Sequence, residues 1–125
     1  MKKVIIIFAA ALLSACAKHY VYESSPQFYR AKGQDDQTKI TGKIEQSRKI
    51  NLLNTISVDK ITIYFDGIEQ IVGYLDDELT GELEGKPFNG KKTSASCSSK
   101  SLSNNLAEIR CIVFIDNERA ATIVI

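Results

Sequence analysis

The sequence has few of the residue types from which catalytic and metal sites are built. Its 125 residues include no tryptophan, a single methionine and a single histidine. That histidine, His19, lies on a short polar stretch whose neighbours supply no metal-ligand set. A Ser-His-Asp arrangement would also need it inside a preorganised site. The glycines are scattered and form no phosphate-binding run. These absences predict no catalytic residue, no cofactor site and no metal site.

A strong excess of charge of either sign is also missing. Sixteen Lys and Arg stand against fifteen Asp and Glu, and a near-neutral chain lacks the clustered basic residues that displace counterions from nucleic acid. Leu, Ile, Val and Phe are plentiful, which predicts a folded chain rather than a disordered one. The length allows one domain with one core. No internal repeat is present.

Long apolar runs are absent except at the N-terminus. Lys2 and Lys3 precede ten apolar residues, Val4 to Leu13. This run is about half the length of a spanning helix, so it predicts a leader rather than a transmembrane segment. The run closes with Leu13-Ser14-Ala15-Cys16. The alternative is an ordinary secretory leader cleaved near Ala15 or Ala17.

These four residues resemble the lipobox of bacterial lipoproteins, and the resemblance covers residues 1 to 17. It implies removal of residues 1–15, a diacylglycerol thioether on Cys16, and an N-acyl chain such as palmitate. Three acyl chains would hold the mature chain on a membrane essentially permanently. Ala17, in place of aspartate, implies the outer membrane with the protein facing the periplasm, by the sorting rule of enteric-type bacteria.

The two remaining cysteines, Cys97 and Cys111, form a natural pair. The envelope outside the inner membrane is oxidising, so an exported chain with two leftover cysteines is expected to join them in a disulfide. Their spacing is not the C-x-x-C of a redox centre. Two free buried thiols are the alternative.

Residues 16–39 are predicted to be the lipidated cysteine and a tether. This segment holds four aromatic residues within ten positions, Tyr20, Tyr22, Phe28 and Tyr29, which a pure spacer would not need. We treat them as candidate contacts with a partner or with lipid headgroups. The interpretation that the pattern favours over such contacts is a first edge strand or a flap packed on the body.

Residues 40–125 are predicted to form an antiparallel β domain. The stretch from Ile40 to Ile56 fits two short strands with a turn near Ser47-Arg48, and a helix over 44–53 is the alternative. Asp66-Gly67 suits a type I′ hairpin, which would pair Phe65 with Ile68 and Ile63 with Gln70. Gln70 is then the one polar side chain on an apolar face.

The second half of the domain carries further strand signals. Asn89-Gly90 offers a second hairpin turn before a strand from Lys92 to Cys97. Six serines between Ser94 and Ser103 predict a polar loop pinned by the disulfide. The run from Ile109 to Ile115 is apolar on both faces, which predicts a central strand buried on both faces. The apolar C-terminus predicts a last strand. In total this indicates an antiparallel sandwich or small barrel of about seven or eight strands.

Three functions are compatible with this pattern. The first is a non-enzymatic, membrane-anchored module that binds an envelope protein, as an assembly chaperone, an inhibitor or an exclusion factor. The second is a small-barrel carrier of a lipid or apolar ligand in a cavity lined by Ile61, Ile63, Phe65 and Phe114. The third, a hydrolase using paired carboxylates, would need acids such as those of Asp76–Glu78 to meet in a cleft. This acidic run also fits a solvated turn between strands. The oligomeric state is open.

Overall fold

The structure is a computed structural model that describes residues 17–50, 55–103 and 106–125. Within these ranges the chain forms nine strands and no helix, so the all-β prediction is confirmed with one or two more strands than expected. The predicted leader and Cys16 lie outside the described residues. The strands are β1 (Ala17–Glu23), β2 (Gln27–Arg30), β3 (Gln37–Ile50), β4 (Thr55–Phe65), β5 (Ile68–Leu75), β6 (Gly81–Glu84), β7 (Thr93–Ser103), β8 (Leu106–Ile115) and β9 (Glu118–Val124).

Two antiparallel sheets pack as a sandwich. The N-terminal sheet has the order β1-β3-β4-β5, and β2 also pairs with β3; the C-terminal sheet has the order β6-β7-β8-β9. Alternate side chains of each strand point between the sheets. Burying one isoleucine side chain stabilises the fold by about 2 kcal/mol, so the core is the main stabilising element. It comprises Ile40, Ile44, Ile61, Ile63, Phe65, Ile71, Leu75, Leu83, Ala95, Cys97, Ile109, Cys111, Val113, Ile115, Ala121 and Ile123.

Strand β3 is longer than the sequence indicates. It runs without a break from Gln37 to Ile50, so both the turn predicted at Ser47-Arg48 and the alternative helix are wrong for the described residues. Ser47 pairs with Val58 and Arg48 with Ser57. Neither residue of the predicted turn favours a positive φ, and β4 offers a continuous hydrogen-bonding partner along β3.

The first residues after Cys16 are also paired. The segment assigned to a tether contains β1 and β2, and both strands pair with β3 along the same side. Ala17 lies opposite Lys49, so β1 begins one residue after Cys16. Between the two strands, the hydroxyl of Ser24 accepts a hydrogen bond from the backbone of Gly42 at 2.8 Å. Paired structure therefore begins at residue 17, and β1 is the first edge strand that the sequence favoured for this segment.

The β4–β5 hairpin turns at Asp66-Gly67, as predicted. Asp66 and Gly67 have φ values of 52° and 80°, the left-handed values that both central residues of a type I′ turn require. Phe65 pairs with Ile68, also as predicted. The local turn chemistry therefore determines where this hairpin reverses.

A β-bulge then shifts the register of the hairpin. Ile63 pairs with Ile71 rather than with Gln70 as predicted, so Gln70 is the extra residue of β5. Gln70 is only 8% exposed, and its side-chain amide donates a hydrogen bond to the carbonyl oxygen of Lys86. The hydroxyl of the buried Thr93 donates to the same oxygen at 2.6 Å. The polar residue on the apolar face therefore helps to tie one sheet to the other.

The serine-rich segment predicted as a loop belongs to strand β7, whose first part confirms the strand predicted from Lys92 to Cys97. It pairs with β8 through Ser98–Arg110, and the pairing continues to Ser103 opposite Leu106. All six side chains from Ser98 to Ser103 are exposed. The loop prediction was wrong because a serine's turn preference is weak compared with a continuous ladder to a neighbouring strand.

The predicted disulfide joins Cys97 to Cys111. These residues lie directly opposite each other on β7 and β8, with their Cα atoms 4.1 Å apart. Both side chains are buried in the core. The bond therefore links two neighbouring strands covalently, and residues 98–103 of β7 extend beyond it.

Strand β8 is central in its sheet, as predicted, because it lies between β7 and β9. Val113 and Ile115 face the core, whereas Ile112 and Phe114 point outward and are partly exposed. The prediction that both faces are buried is therefore wrong. The C-terminal strand is confirmed: Ile109 and Ile125 exchange two backbone hydrogen bonds, at 2.9 and 3.1 Å.

Candidate functional site

Two long hairpins extend from the same end of the sandwich. One is β3–β4 and the other is β7–β8. The first residues of β1 lie at this end because they pair with the last residues of β3. We call it the hairpin end and define it as residues 17–20, 46–50, 55–58, 98–103 and 106–107. The opposite end carries the turns at Asp66-Gly67 and Asn89-Gly90, and we call it the turn end.

A cleft of about 330 Å³ opens between the sheets at the hairpin end. Ile44, Ile109 and Ile125 line its inner surface, and Tyr22 and Arg48 line its rim. A volume near 300 Å³ is at the lower limit for a small-molecule site. The apolar interior and the polar rim could take one apolar side chain of a partner. These residues lie far apart in the sequence, and no local motif links them.

Strand β1 forms an edge of the N-terminal sheet next to this cleft. Its seven residues pair with β3 in continuous register, without a bulge, and within the described ranges no strand pairs with its other side. Tyr20, Val21 and Tyr22 are 42–50% exposed. β1 has no proline and no bulge, which are two devices that commonly block pairing at an edge. It therefore offers free backbone groups beside exposed aromatic rings.

The four candidate aromatic residues do not form one surface. Tyr20 and Tyr22 lie on the side of β1 that faces the cleft at the hairpin end. Phe28 is on β2 and is 62% exposed, whereas its neighbour Tyr29 packs against the core. Alternation along β2 sends these two rings to opposite faces. The sequence placed all four aromatic residues in one segment, and the structure divides them between the two ends.

The turn end has its own cleft, of about 360 Å³. Tyr29 and Phe88 line it together with Asp66 and Lys91. The ring of Phe88 meets that of Phe65 edge to face, with 5.0 Å between centroids, so Phe88 is held by the core. This cleft combines aromatic and charged side chains in an open depression.

The single histidine lies on the outer face of the N-terminal sheet. His19 Nδ1 is 3.0 Å from the hydroxyl oxygen of Ser47, and Nε2 is 3.9 Å from a carboxylate oxygen of Glu45. All three side chains belong to neighbouring positions of β1 and β3. Over the described ranges, no group of three or more His, Cys, Asp or Glu residues could hold a metal ion.

The acidic run Asp76–Glu78 forms the turn between β5 and β6. One carboxylate oxygen of Asp76 accepts hydrogen bonds from the backbone N–H groups of Glu78 and Thr80, both at 2.9 Å. The other oxygen accepts the Thr80 hydroxyl at 2.6 Å. Both carboxylate oxygens therefore organise the turn. These hydrogen bonds, led by the Thr80 hydroxyl, lower the pKa of Asp76 below its ordinary value.

This arrangement predicts a pH-dependent contribution of Asp76 to stability. Because its pKa is lower in the folded chain than in the unfolded chain, the carboxylate stabilises the fold above the ordinary value near pH 4. That contribution is lost as the pH falls through the folded value. Asp76→Asn should therefore be less stable than the unsubstituted chain at pH 7, with the gap closing below about pH 4.

Urea unfolding at several pH values measures this gap, and carbon NMR of the Asp76 carboxyl measures its pKa directly. Asp77→Asn is the control, because Asp77 accepts none of these three hydrogen bonds. A gap that stays constant from pH 7 to pH 3 would contradict the assigned role.

The four residues proposed to line a carrier cavity do not surround a common cavity. Ile61, Ile63 and Phe65 are buried in the packed core between the sheets. Phe114 points away from that core, on the outer face of the C-terminal sheet. None of these four residues lines the cleft at the hairpin end or the cleft at the turn end.

The fold and these surfaces define a disulfide-bonded, two-sheet β-sandwich with an exposed aromatic edge. Within the described part of the chain, no helix is long and apolar enough to cross a membrane. No protein-family model, no curated protein and no solved structure matches the chain.

Proposed function

We propose that this chain is a lipid-anchored, non-enzymatic module of the bacterial cell envelope, and that it binds a protein partner along the edge of β1. The observation that carries the proposal is the regular, exposed edge of β1 with the rings of Tyr20 and Tyr22 beside it. An extended segment of a partner can add to such an edge as a further strand. Backbone hydrogen bonds then supply affinity, and side-chain pockets supply specificity.

The anchor supports this function by placing the edge next to a membrane. The lipobox residues Leu13 to Cys16 end one residue before β1 begins. A lipidated Cys16 would therefore hold β1 at the membrane surface without a spacer. Ala17 favours the periplasmic face of the outer membrane, and the buried disulfide suits that oxidising compartment.

A different protein fits the edge better than a second copy of this chain. Antiparallel pairing of two β1 strands would separate their Cys16 residues by the length of the ribbon, roughly 23 Å for seven residues. Two anchors in one membrane would then force the ribbon to lie flat on the lipid. A partner strand that carries no anchor meets no such constraint.

The anchor is tested by mass spectrometry of the protein purified from a bacterial envelope. We expect the mature chain to begin at Cys16, with a diacylglycerol and one further acyl chain on that residue. Cys16→Ala should carry no lipid, because the thiol that forms the thioether is gone. Peptides containing Cys97 and Cys111 from the same sample are the control and should carry none. A soluble, unacylated mature chain would overturn the anchor.

The binding edge is tested by photo-crosslinking in intact envelopes. A photoreactive residue at Val21 should give a reproducible adduct with one envelope protein. The same residue at Tyr74, an exposed position on β5 at the other edge of the sheet, should not. An adduct from Tyr74 and none from Val21, or the same adducts from both positions, would contradict binding at β1.

A further inference from the structure

The hairpin end carries basic residues and no acidic ones. Residues 17–20, 46–50, 55–58, 98–103 and 106–107 contain Lys18, Arg48, Lys49 and Lys100, and neither Asp nor Glu. Two carboxylates border these ranges, because Glu108 pairs with Lys100 and Asp59 with Gln46. The chain as a whole has nearly equal numbers of both signs. The other residues downstream of Cys16 therefore comprise ten basic against fifteen acidic side chains. Folding thus collects positive charge at one end of the sandwich.

The basic residue of β7 lies beyond the level of the acidic turn Asp76–Glu78. The hydroxyl of Ser99 donates a hydrogen bond to the carbonyl of Glu78 at 2.7 Å, so Ser99 marks the level of that turn on β7. The strand runs four residues further, to Ser103, or about 13 Å at the rise of an extended chain. Lys100 lies in this projecting part, opposite Glu108 of β8, whose carboxylate forms an ion pair with Arg110 at 3.3 Å. Leu102, in the same projecting part of β7, is 59% exposed.

The β3–β4 hairpin projects in the same way. Gln46 pairs with Asp59, the last acidic residue on this side, and β3 continues four residues to Ile50. Arg48 and Lys49 are in that continuation. Lys18 pairs with Arg48 across β1 and β3, so three basic positions are neighbours in one sheet.

We propose that the hairpin end is a membrane-contact surface that binds anionic phospholipid headgroups and thereby sets the orientation of the domain. The inference rests on the proposed anchor, because a lipidated Cys16 would tether this same end. Each basic residue near an anionic surface adds to binding, and an exposed leucine beside them can enter the interface. The acyl chains hold the domain at the membrane, and the basic end determines which side of it faces the lipid.

This orientation leaves the proposed partner edge accessible. The edge of β1 runs along the side of the sandwich, whereas the turn end points away from the lipid. The hairpin-end cleft, with Arg48 at its rim, then opens toward the headgroups. A partner that pairs with β1 would approach along the membrane surface.

The test uses the chain from residue 16 to residue 125 with Cys16→Ser, which keeps every described strand and carries no lipid. Co-sedimentation with vesicles of phosphatidylcholine alone is compared with vesicles containing a third phosphatidylglycerol. With Arg48 and Lys100 exposed at this end, we expect roughly thirtyfold tighter binding to the anionic vesicles, weakening as salt is raised.

A matched pair of variants locates the surface. Arg48→Glu with Lys100→Glu should lose at least tenfold in binding to the anionic vesicles. Lys91→Glu with Lys92→Glu, at the turn end, changes net charge equally and should bind like the parent. Circular dichroism confirms that both variants are folded. Equal losses in the two variants, or no preference for anionic vesicles, would overturn the surface and leave the anchor standing. An unacylated Cys16 in cells would instead overturn the anchor.

Discussion

Replacing both Cys97 and Cys111 with alanine should lower the free energy of unfolding by about 3 kcal/mol. The bond closes a loop of about fifteen residues, and a cross-link of that span removes about this much chain entropy from the unfolded state. In the folded state the two cysteines are already neighbours across β7 and β8, with Cα atoms 4.1 Å apart. Folding therefore brings these residues together with or without the bond, and its effect falls mainly on the unfolded chain.

Urea unfolding with and without a reductant measures this contribution. The reductant should destabilise the unsubstituted chain by nearly the same amount as the double substitution. The reductant should not change the stability of the double variant, which therefore serves as the control for other effects of the reductant. If reduction has no effect on the unsubstituted chain, then the two thiols are free and the assigned bond is wrong.

Replacing Gly85 with alanine should cost about 2–3 kcal/mol, the upper part of the range for forcing an extra methyl group into a packed site. A Cβ atom at this position would lie 2.5 Å from Cγ1 of Ile71 and 2.8 Å from the carbonyl oxygen of Gln70. The carbonyl oxygen belongs to the backbone of β5, so the strand itself would have to move.

The movement would disturb the connection between the two sheets. The N–H of Gly85 donates to the carbonyl of Thr93, and the N–H of Lys86 donates to that of Gln70, both at 3.0 Å. The carbonyl oxygen of Lys86 in turn accepts hydrogen bonds from the side chains of Gln70 and Thr93. A shift at Gly85 therefore loosens several hydrogen bonds at once, including those of the buried Gln70 and Thr93 side chains.

Gly90→Ala is the matched control for Gly85→Ala. Gly90 has a φ of +75° and open space around the position of its missing Cβ, so alanine there meets only backbone strain of about 1 kcal/mol. Thermal unfolding of the two variants should rank Gly85→Ala as the less stable. The reverse order would mean that turn strain outweighs the packing at the sheet connection.

Gln70 shows how much of this fold could be predicted from sequence. The alternation of Ile61, Ile63 and Phe65 and the turn at Asp66-Gly67 are local signals, and both held in the structure. The bulge at Gln70 is not a local signal. At the bulge the side chain of Gln70 reaches the carbonyl of Lys86, sixteen residues further along the chain, and no pattern near Gln70 indicates that contact.

The candidate surfaces show the same difference between local sequence signals and contacts that only the fold creates. The sequence singled out Tyr20 and Tyr22, because four aromatic residues in a supposed tether were unexpected. It did not single out Arg48 or Lys100, which are 52 residues apart and lie at the same end of the sandwich only through the strand pairings. The available signal was the absence of carboxylates from residues 46–58 and 98–107.

The amino-acid sequence by itself determined the all-β class, the reversal at Asp66-Gly67 and the pairing of Cys97 with Cys111. Each follows from residues near one another in the chain, or from there being only one possible partner. The tertiary structure alone decided the length of β3, the strand conformation of the serine-rich segment and the division of the aromatic residues between the two ends. These depend on which strand lies alongside which, because backbone hydrogen bonds to a neighbouring strand outweigh the weak turn preference of serine.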